Sequence, residues 1–193
     1  MNDFISYFII CFLSVCGYIY IEGMNNEVSY VKSSIDGEEY LVRNLDDSVD
    51  AANLMAVVRE RLDKLSEHLK KKYPNDKRTT RLLQKFNPNN ITEASKNNKY
   101  TSYSVNKGEK IVLCLRSRDS SETLIDINTL MFVTLHELSH IITVSIGHTD
   151  EFWNNFKFIL NISSDIGICT NVDYSKYPKK YCGITITDSP VYN

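Results

Sequence analysis

The sequence predicts an α+β fold: a small domain with one central helix, a short antiparallel sheet and, ahead of them, an N-terminal transmembrane helix. Three observations predict it. Apolar residues recur at spacings of three and four over Ser48–Lys72 and again in the last third of the chain, which is the period of amphipathic helices. Residues 101–116 alternate around an Asn106-Lys107-Gly108 turn and read as a β-hairpin. Phe4 to Ile21 carries no charge.

Composition bounds the rest. At 193 residues, 42% hydrophobic and 24% charged, the chain is sized for one ordinary domain with room for an appendage. A net charge of −2 argues against a strong overall attraction to nucleic acid or to an acidic membrane. The five cysteines, Cys11, Cys16, Cys114, Cys169 and Cys182, are odd in number and form no CxxC. Buried thiols in a reducing compartment, rather than a disulfide framework, are expected.

A helix over Phe4–Ile21 would span about 27 Å at roughly 1.5 Å per residue, close to the roughly 30 Å hydrocarbon core of a bilayer. Tyr7, Tyr18 and Tyr20 suit interfacial anchoring. A cleaved signal peptide would want a positive start, and only Asp3 precedes the run. A lipoprotein signal at Leu13–Cys16 and a helix or strand buried in the domain are further alternatives. The expected organisation is therefore a transmembrane anchor over 1–22, a linker over 23–45 and a catalytic domain over 46–193. This makes a single-pass membrane protein, in a host or virion membrane if viral, with the domain on the cytosolic side.

The linker leads into a short strand near Tyr40-Leu41-Val42. Helix Ser48–Lys72 follows, with Asp46, Asp47 and Asp50 at its positive end, Lys70-Lys71-Lys72 at its negative end and Pro74 to stop it. A shorter helix fits Lys77 to Phe86. After the hairpin, Asp126 or Asn128 can cap a helix running to about Thr143, and Thr149 can cap the last one. Phe152, Trp153, Phe156, Ile159 and Leu160 give that last helix an apolar face. A short strand over Gly183–Thr187 ends the pattern.

The chemistry lies in His136-Glu137-Leu138-Ser139-His140. Histidines four apart on a helix share one face, about one turn apart. A catalytic zinc needs three protein ligands and leaves a position for water. Glu137, beside the first histidine, is placed to act as general base on that water and later to protonate the leaving amine. Gly147 lets the chain turn and return His148 as third ligand. The bland alternatives are a surface histidine pair and a helix-entry His148. His68, among Lys and Glu, reads as surface.

These features resemble a known family. Ile111-Val112-Leu113-Cys114-Leu115-Arg116, then HELSH, then His148 with Phe152-Trp153, are similar to the WLM and SprT-like zincin metallopeptidases, and to WLM-like proteins of large DNA viruses. The resemblance implies a small zincin-like metallopeptidase domain with Zn2+ on His136, His140 and His148, Glu137 as catalytic base, and a protein or peptide substrate. It also implies that strand Ile111–Leu115 borders the cleft as an edge for extended peptide; an interior strand is the alternative. Tyr174, Tyr177, Tyr181 and Arg116 are candidates to polarise the scissile carbonyl, and Cys182 is a candidate to approach the metal.

The expected function is thus a membrane-tethered zinc metalloendopeptidase. Two alternatives stand beside it: a non-enzymatic zinc-containing membrane or virion structural protein, and a DNA-associated protease. The last would use Lys70–Lys72, Lys77, Arg78 and Arg81 as a phosphate-binding tract; a solvated helix end is the simpler reading.

Overall fold

The structure is a computed structural model; it describes residues 2–24 and 27–192, with side chains over 5–20 and 27–192. The first helix, α1, covers Asn2–Met24. Among the described residues, no helix is long and apolar enough to cross a membrane. The run over 5–20 is not uniformly apolar. Ser6, Ser14, Gly17 and three tyrosines interrupt that stretch, and Ser14 returns its hydroxyl to the Ile10 carbonyl at 2.8 Å. Phe4 and Ile21, the ends of the expected span, lie outside the residues whose side chains are described. The transmembrane helix, the membrane as partner through Phe4–Ile21 and the single-pass membrane localisation are corrected accordingly.

Residues expected to lie in a linker form a hairpin instead. β1 (Val28–Lys32) and β2 (Glu39–Arg43) pair antiparallel, Val28 opposite Arg43. Tyr40 and Val42 point inward and are buried in the main core, because alternate residues of a strand face one side. They pack with α2 (Ser48–Lys72), whose Ala52, Met55, Val58, Leu62, Leu65 and Leu69 form its buried stripe. α2 ends at Tyr73, one residue before Pro74. α3 (Lys77–Lys85) starts on Asp76, whose carboxylate accepts the Arg78 N–H at 2.8 Å.

The central sheet has the order β3–β5–β4, built from Ile91–Glu93, Lys110–Leu113 and Tyr103–Val105. It is mixed rather than antiparallel. β3 runs parallel to β5, whereas β4 is antiparallel to it. After β3 the chain crosses to the far edge as β4, turns through Asn106-Lys107-Gly108, and returns between the two. Gly108 has φ +121°, and a Cβ there would lie 2.5 Å from the Lys85 carbonyl oxygen, so only glycine fits this turn. The strand expected to border the cleft is interior; of the two outer strands, β4 is the one that lines a cavity with the histidines.

α4 (Ile127–Ile142) packs on β4, β5 and α2, and α5 (Asp150–Asp165) packs on α4. Both are capped as their sequences predict. The Asp126 carboxylate accepts the Thr129 N–H at 2.9 Å, and the Thr149 hydroxyl accepts the Phe152 N–H at 3.4 Å. Beyond α5 the chain forms a hairpin, β6 (Lys179–Tyr181) and β7 (Ile184–Ile186). Cys182, in its turn, is disulfide-bonded to Cys114. The expectation of unpaired thiols is corrected for these two, which are 68 residues apart in sequence and converge only through the fold. Cys169 is a free buried thiol, and burial pushes it up to about 11.

Candidate active site

The site is assembled by α4, α5, the loop between them and the edge strand β4. α4 is almost wholly buried, including Leu130, Leu135, Leu138 and Ile141. Its Thr134 and Ser139 hydroxyls donate to carbonyls one turn back at 2.8 and 2.7 Å, so the polar side chains of a buried helix are satisfied internally. With α4 rooted, His136 and His140 stand on one face.

The loop after α4 returns His148 to the same place. Glu151, in the first turn of α5, accepts the N–H groups of Val144 and Ser145, each at 3.0 Å. Those bonds hold the Glu151 carboxyl down at about 2. Lys107, from the β4–β5 turn, donates to the carbonyls of Val144 and Ser145 at 2.9 and 3.2 Å. The ammonium thus sits at the negative end of α4. Gly147 adopts φ +85° with open space around it; backbone conformation, not crowding, asks for glycine there.

The three imidazoles form a nearly equilateral triangle. Ring centroids are 4.9 Å apart for His136–His140, 5.0 Å for His136–His148 and 4.9 Å for His140–His148. One nitrogen from each lies within 4.8 Å of the others. Nε2 of His136 and Nε2 of His148 are 3.1 Å apart. Two nitrogens about 2.0–2.1 Å from one tetrahedral ion stand about 3.3 Å apart, so the donor set fits a metal of zinc's size and preference. Phe152, fully buried, is the floor: it stacks on His140 at 4.3 Å and meets His136 and His148 edge-on at 4.9 and 4.7 Å.

Burial and neighbouring charge keep the His136 and His140 rings neutral. Burial, then His140 and His148, pushes His136 down to about 3. Burial, then His148 and Lys107, pushes His140 down to about 4. Neutral imidazole is the form that binds metal. Glu137 is 7% exposed; burial raises it to about 7, against a lowering by the Ser104 backbone N–H. A carboxyl near neutrality can both accept and donate a proton.

The Glu137 shift carries a stability consequence in metal-free protein. A carboxyl raised from 4.5 to about 7 contributes stability that is complete below the unfolded value and lost as pH rises through about 7. Metal-free Glu137→Gln should therefore match wild type near pH 5 and exceed it near pH 8 by about 2–3 kcal/mol. Urea unfolding at the two pH values checks this; equal stability at pH 8 would contradict it. His136 and His140, held low, act in the opposite sense and lose their contribution as pH falls below about 6.5.

Other candidates separate. Tyr181 lines one cavity with His136 and Glu137. Tyr177 is exposed, and Tyr174 packs against Phe132 at 4.8 Å between centroids. Arg116 is buried in ion pairs with Glu93 and Asp47. Cys182 is held by Cys114 rather than presented to the histidines. In the basic tract, Arg78 pairs with Asp76 and lies 3.4 Å over the Phe158 ring, while Arg81 donates to the Ile141 carbonyl at 2.7 Å. His68 is half-buried beside Tyr73 rather than fully exposed. Ser104, Lys107 and Glu151 were not evident from sequence, since nothing local marks a turn lysine or a first-turn glutamate as bracing a loop.

Comparison with known proteins gives the family of the chain. Residues 53–168 match the WLM domain. Protein R325 of Acanthamoeba polyphaga mimivirus is 36% identical over 167 residues, covering 84% of each chain. Protein 136R of Invertebrate iridescent virus 6 is 35% identical over 109 residues, 55% of this chain and 59% of its own. The crystal structure of Wss1 from Saccharomyces cerevisiae superposes with a TM-score of 0.47 at 21% identity, over 63% of this chain and 82% of that one. Matched by that domain over more than half its length, the chain belongs to the WLM domain family, a family of metallopeptidase type, and is a WLM-like protein of the kind found in large DNA viruses.

Proposed function

We propose that this protein is a zinc-dependent metalloendopeptidase in which His136, His140 and His148 hold the metal and Glu137 is the general base. The observation that carries it is the triangle of ring nitrogens, all within 4.8 Å, beside a buried carboxyl raised to about 7. A bound zinc ion supplies Lewis acidity and makes water nucleophilic at neutral pH. Glu137 receives the proton given up as water attacks the peptide carbonyl and delivers it to the leaving amine. Lys107 and Glu151 hold the loop so that His148 stays in place. Phe152 fixes the orientation of all three rings.

β4 orients substrate. Among the described residues no strand pairs with its outer side, and Ser104 on it reaches Glu137 through its N–H. Extended peptide laid along β4 would present a carbonyl beside Glu137 and the histidines. The same reading counts the β1–β2 hairpin as part of the peptidase domain, since Tyr40 and Val42 share its core.

Metal analysis and a cleavage assay on purified protein test the proposal. About one zinc per chain is expected, with cleavage of unfolded protein lost on chelation and restored by zinc. His148→Ala should lower both zinc content and cleavage. Cleavage that survives chelation would overturn the assignment.

A further inference from the structure

We infer that the β6–β7 hairpin, tied to β5 by the Cys114–Cys182 disulfide, is a redox-responsive wall that selects substrates with an apolar side chain beside the scissile bond. The inference rests on the peptidase reading above and deepens it.

A cavity of about 240 Å³ opens directly off His136 and Glu137. Phe132, Trp153 and Phe156 line it from α4 and α5, and Tyr181, Ile184 and Ile186 line it from the hairpin. Its walls are mostly aromatic and aliphatic, and its charged groups are the carboxyls of Glu137 and Asp188, so an acidic side chain entering it would lose hydration and meet no cation there. Because His136 and Glu137 belong to the same cavity, its occupant is the side chain of a substrate residue next to the bond attacked. This wall is built outside the residues that match the WLM domain, which end at 168.

The hairpin is held at few points. β6 and β7 pair only with each other among the described residues, and a lone two-stranded hairpin is marginal. Its turn is Cys182-Gly183, with φ +45° and +85°, the paired positive values of a tight two-residue hairpin turn. The Tyr181 hydroxyl donates to the Cys114 carbonyl at 2.9 Å and lies 2.6 Å from the Ser102 hydroxyl. Lys179 pairs with Asp126 at 2.9 Å where both are exposed, an arrangement of small worth. Tyr181 and Ile186 also pack in a small core with Ala94 and Val112, and the link to Cys114 is the one covalent tie between this wall and the sheet.

Cys182 lines a surface recess with Arg118, Lys180 and Asp119, whose net positive charge favours an approaching thiolate. A dithiol reductant attacks one sulfur, and the S–S bond breaks. Its second thiol then closes on the mixed disulfide. Cys114 and Cys182 leave as two thiols, and the reductant leaves as a cyclic disulfide. The hairpin then keeps its hydrogen bonds, the exposed ion pair and the packing of Tyr181 and Ile186 against the sheet, without the covalent tie, and the wall loosens.

Trp153 is the only tryptophan in the chain and lines the cavity, so its fluorescence reports on occupancy. Acetylated peptide amides differing only at one residue (Leu, Phe, Asp or Lys) are titrated into zinc-loaded protein, and cleavage is followed by mass spectrometry. The protein is used oxidised, and again after reduction with dithiothreitol and its anaerobic removal. In oxidised protein, Leu and Phe peptides should bind at least about tenfold tighter than the Asp peptide, with the Lys peptide, which meets the Asp188 carboxylate, between them. That preference should fall at least about fivefold on reduction and in Cys182→Ser. Ile184→Asp, at a half-exposed position, should abolish it without threatening the fold. Equal binding of all peptides, an unchanged preference after reduction, or free Cys114 and Cys182 in a non-reducing peptide map would overturn the inference. Preference in binding with no cleavage of any peptide would uphold the selective wall and count against the peptidase reading alone.

Discussion

Glu137→Gln is expected to reduce peptide cleavage by about 10²–10⁴-fold while leaving zinc content unchanged. The substitution keeps shape and a hydrogen-bonding end but removes the group that can take a proton. Glu137 is not one of the three clustered nitrogen donors, so zinc retention is the control that separates loss of chemistry from loss of metal. Nor does the loss reflect unfolding, because burial of an ionised carboxylate works against the native state at neutral pH, and Gln relieves it. Cleavage rates with zinc analysis on the same samples decide the point. An active Glu137→Gln protein would mean that proton transfer uses another group.

Arg116→Ala is expected to cost about 3–5 kcal/mol of stability, a fall in melting temperature of roughly 6–20 °C for a domain of this size. Arg116 is 3% exposed. Its guanidinium donates to Glu93 at 3.0 Å and to Asp47 at 2.5 Å, joining β3, the start of α2 and the end of β5. Glu93 also accepts the Arg43 backbone N–H at 2.6 Å, which brings in β2. Burial already raises the Glu93 carboxyl, with Arg43 and Arg116 countering it. Without Arg116 a buried carboxylate is left with a single backbone donor. Replacing Arg116 and Glu93 together by Met should cost much less, because no charge is then stranded. Thermal unfolding of both variants checks the contrast; similar losses in the two would show that packing, not the stranded charge, governs this node.

What could be read in advance follows physical locality. The four helices of the domain announce themselves through apolar period and caps, because those signals lie within each segment. Asp126 and Thr149 cap where their residue types predict, and α2 spans the predicted Ser48–Lys72. The spacing of His136 and His140 puts them on one helix face for the same reason. Features that depend on remote partners were not legible. β3, three residues long, is too short to show a period, and its parallel pairing makes β4 rather than β5 the edge. The Cys114–Cys182 link depends on a hairpin in a tyrosine-rich stretch of little pattern. Asp47, suited by type to cap α2, makes no side-chain cap bond and pairs with Arg116 instead. The N-terminal run is helical as its composition predicts, but apolar character over a stretch does not by itself make a membrane span.

In the proposed site His136, His140 and His148 hold one zinc ion beside Glu137. Anomalous scattering from zinc-loaded crystals, recorded above and below the zinc edge, tests it most directly. One strong peak per chain is expected, about 2.0–2.1 Å from a nitrogen of each histidine. A peak held by other residues, or none at full zinc loading, would contradict it.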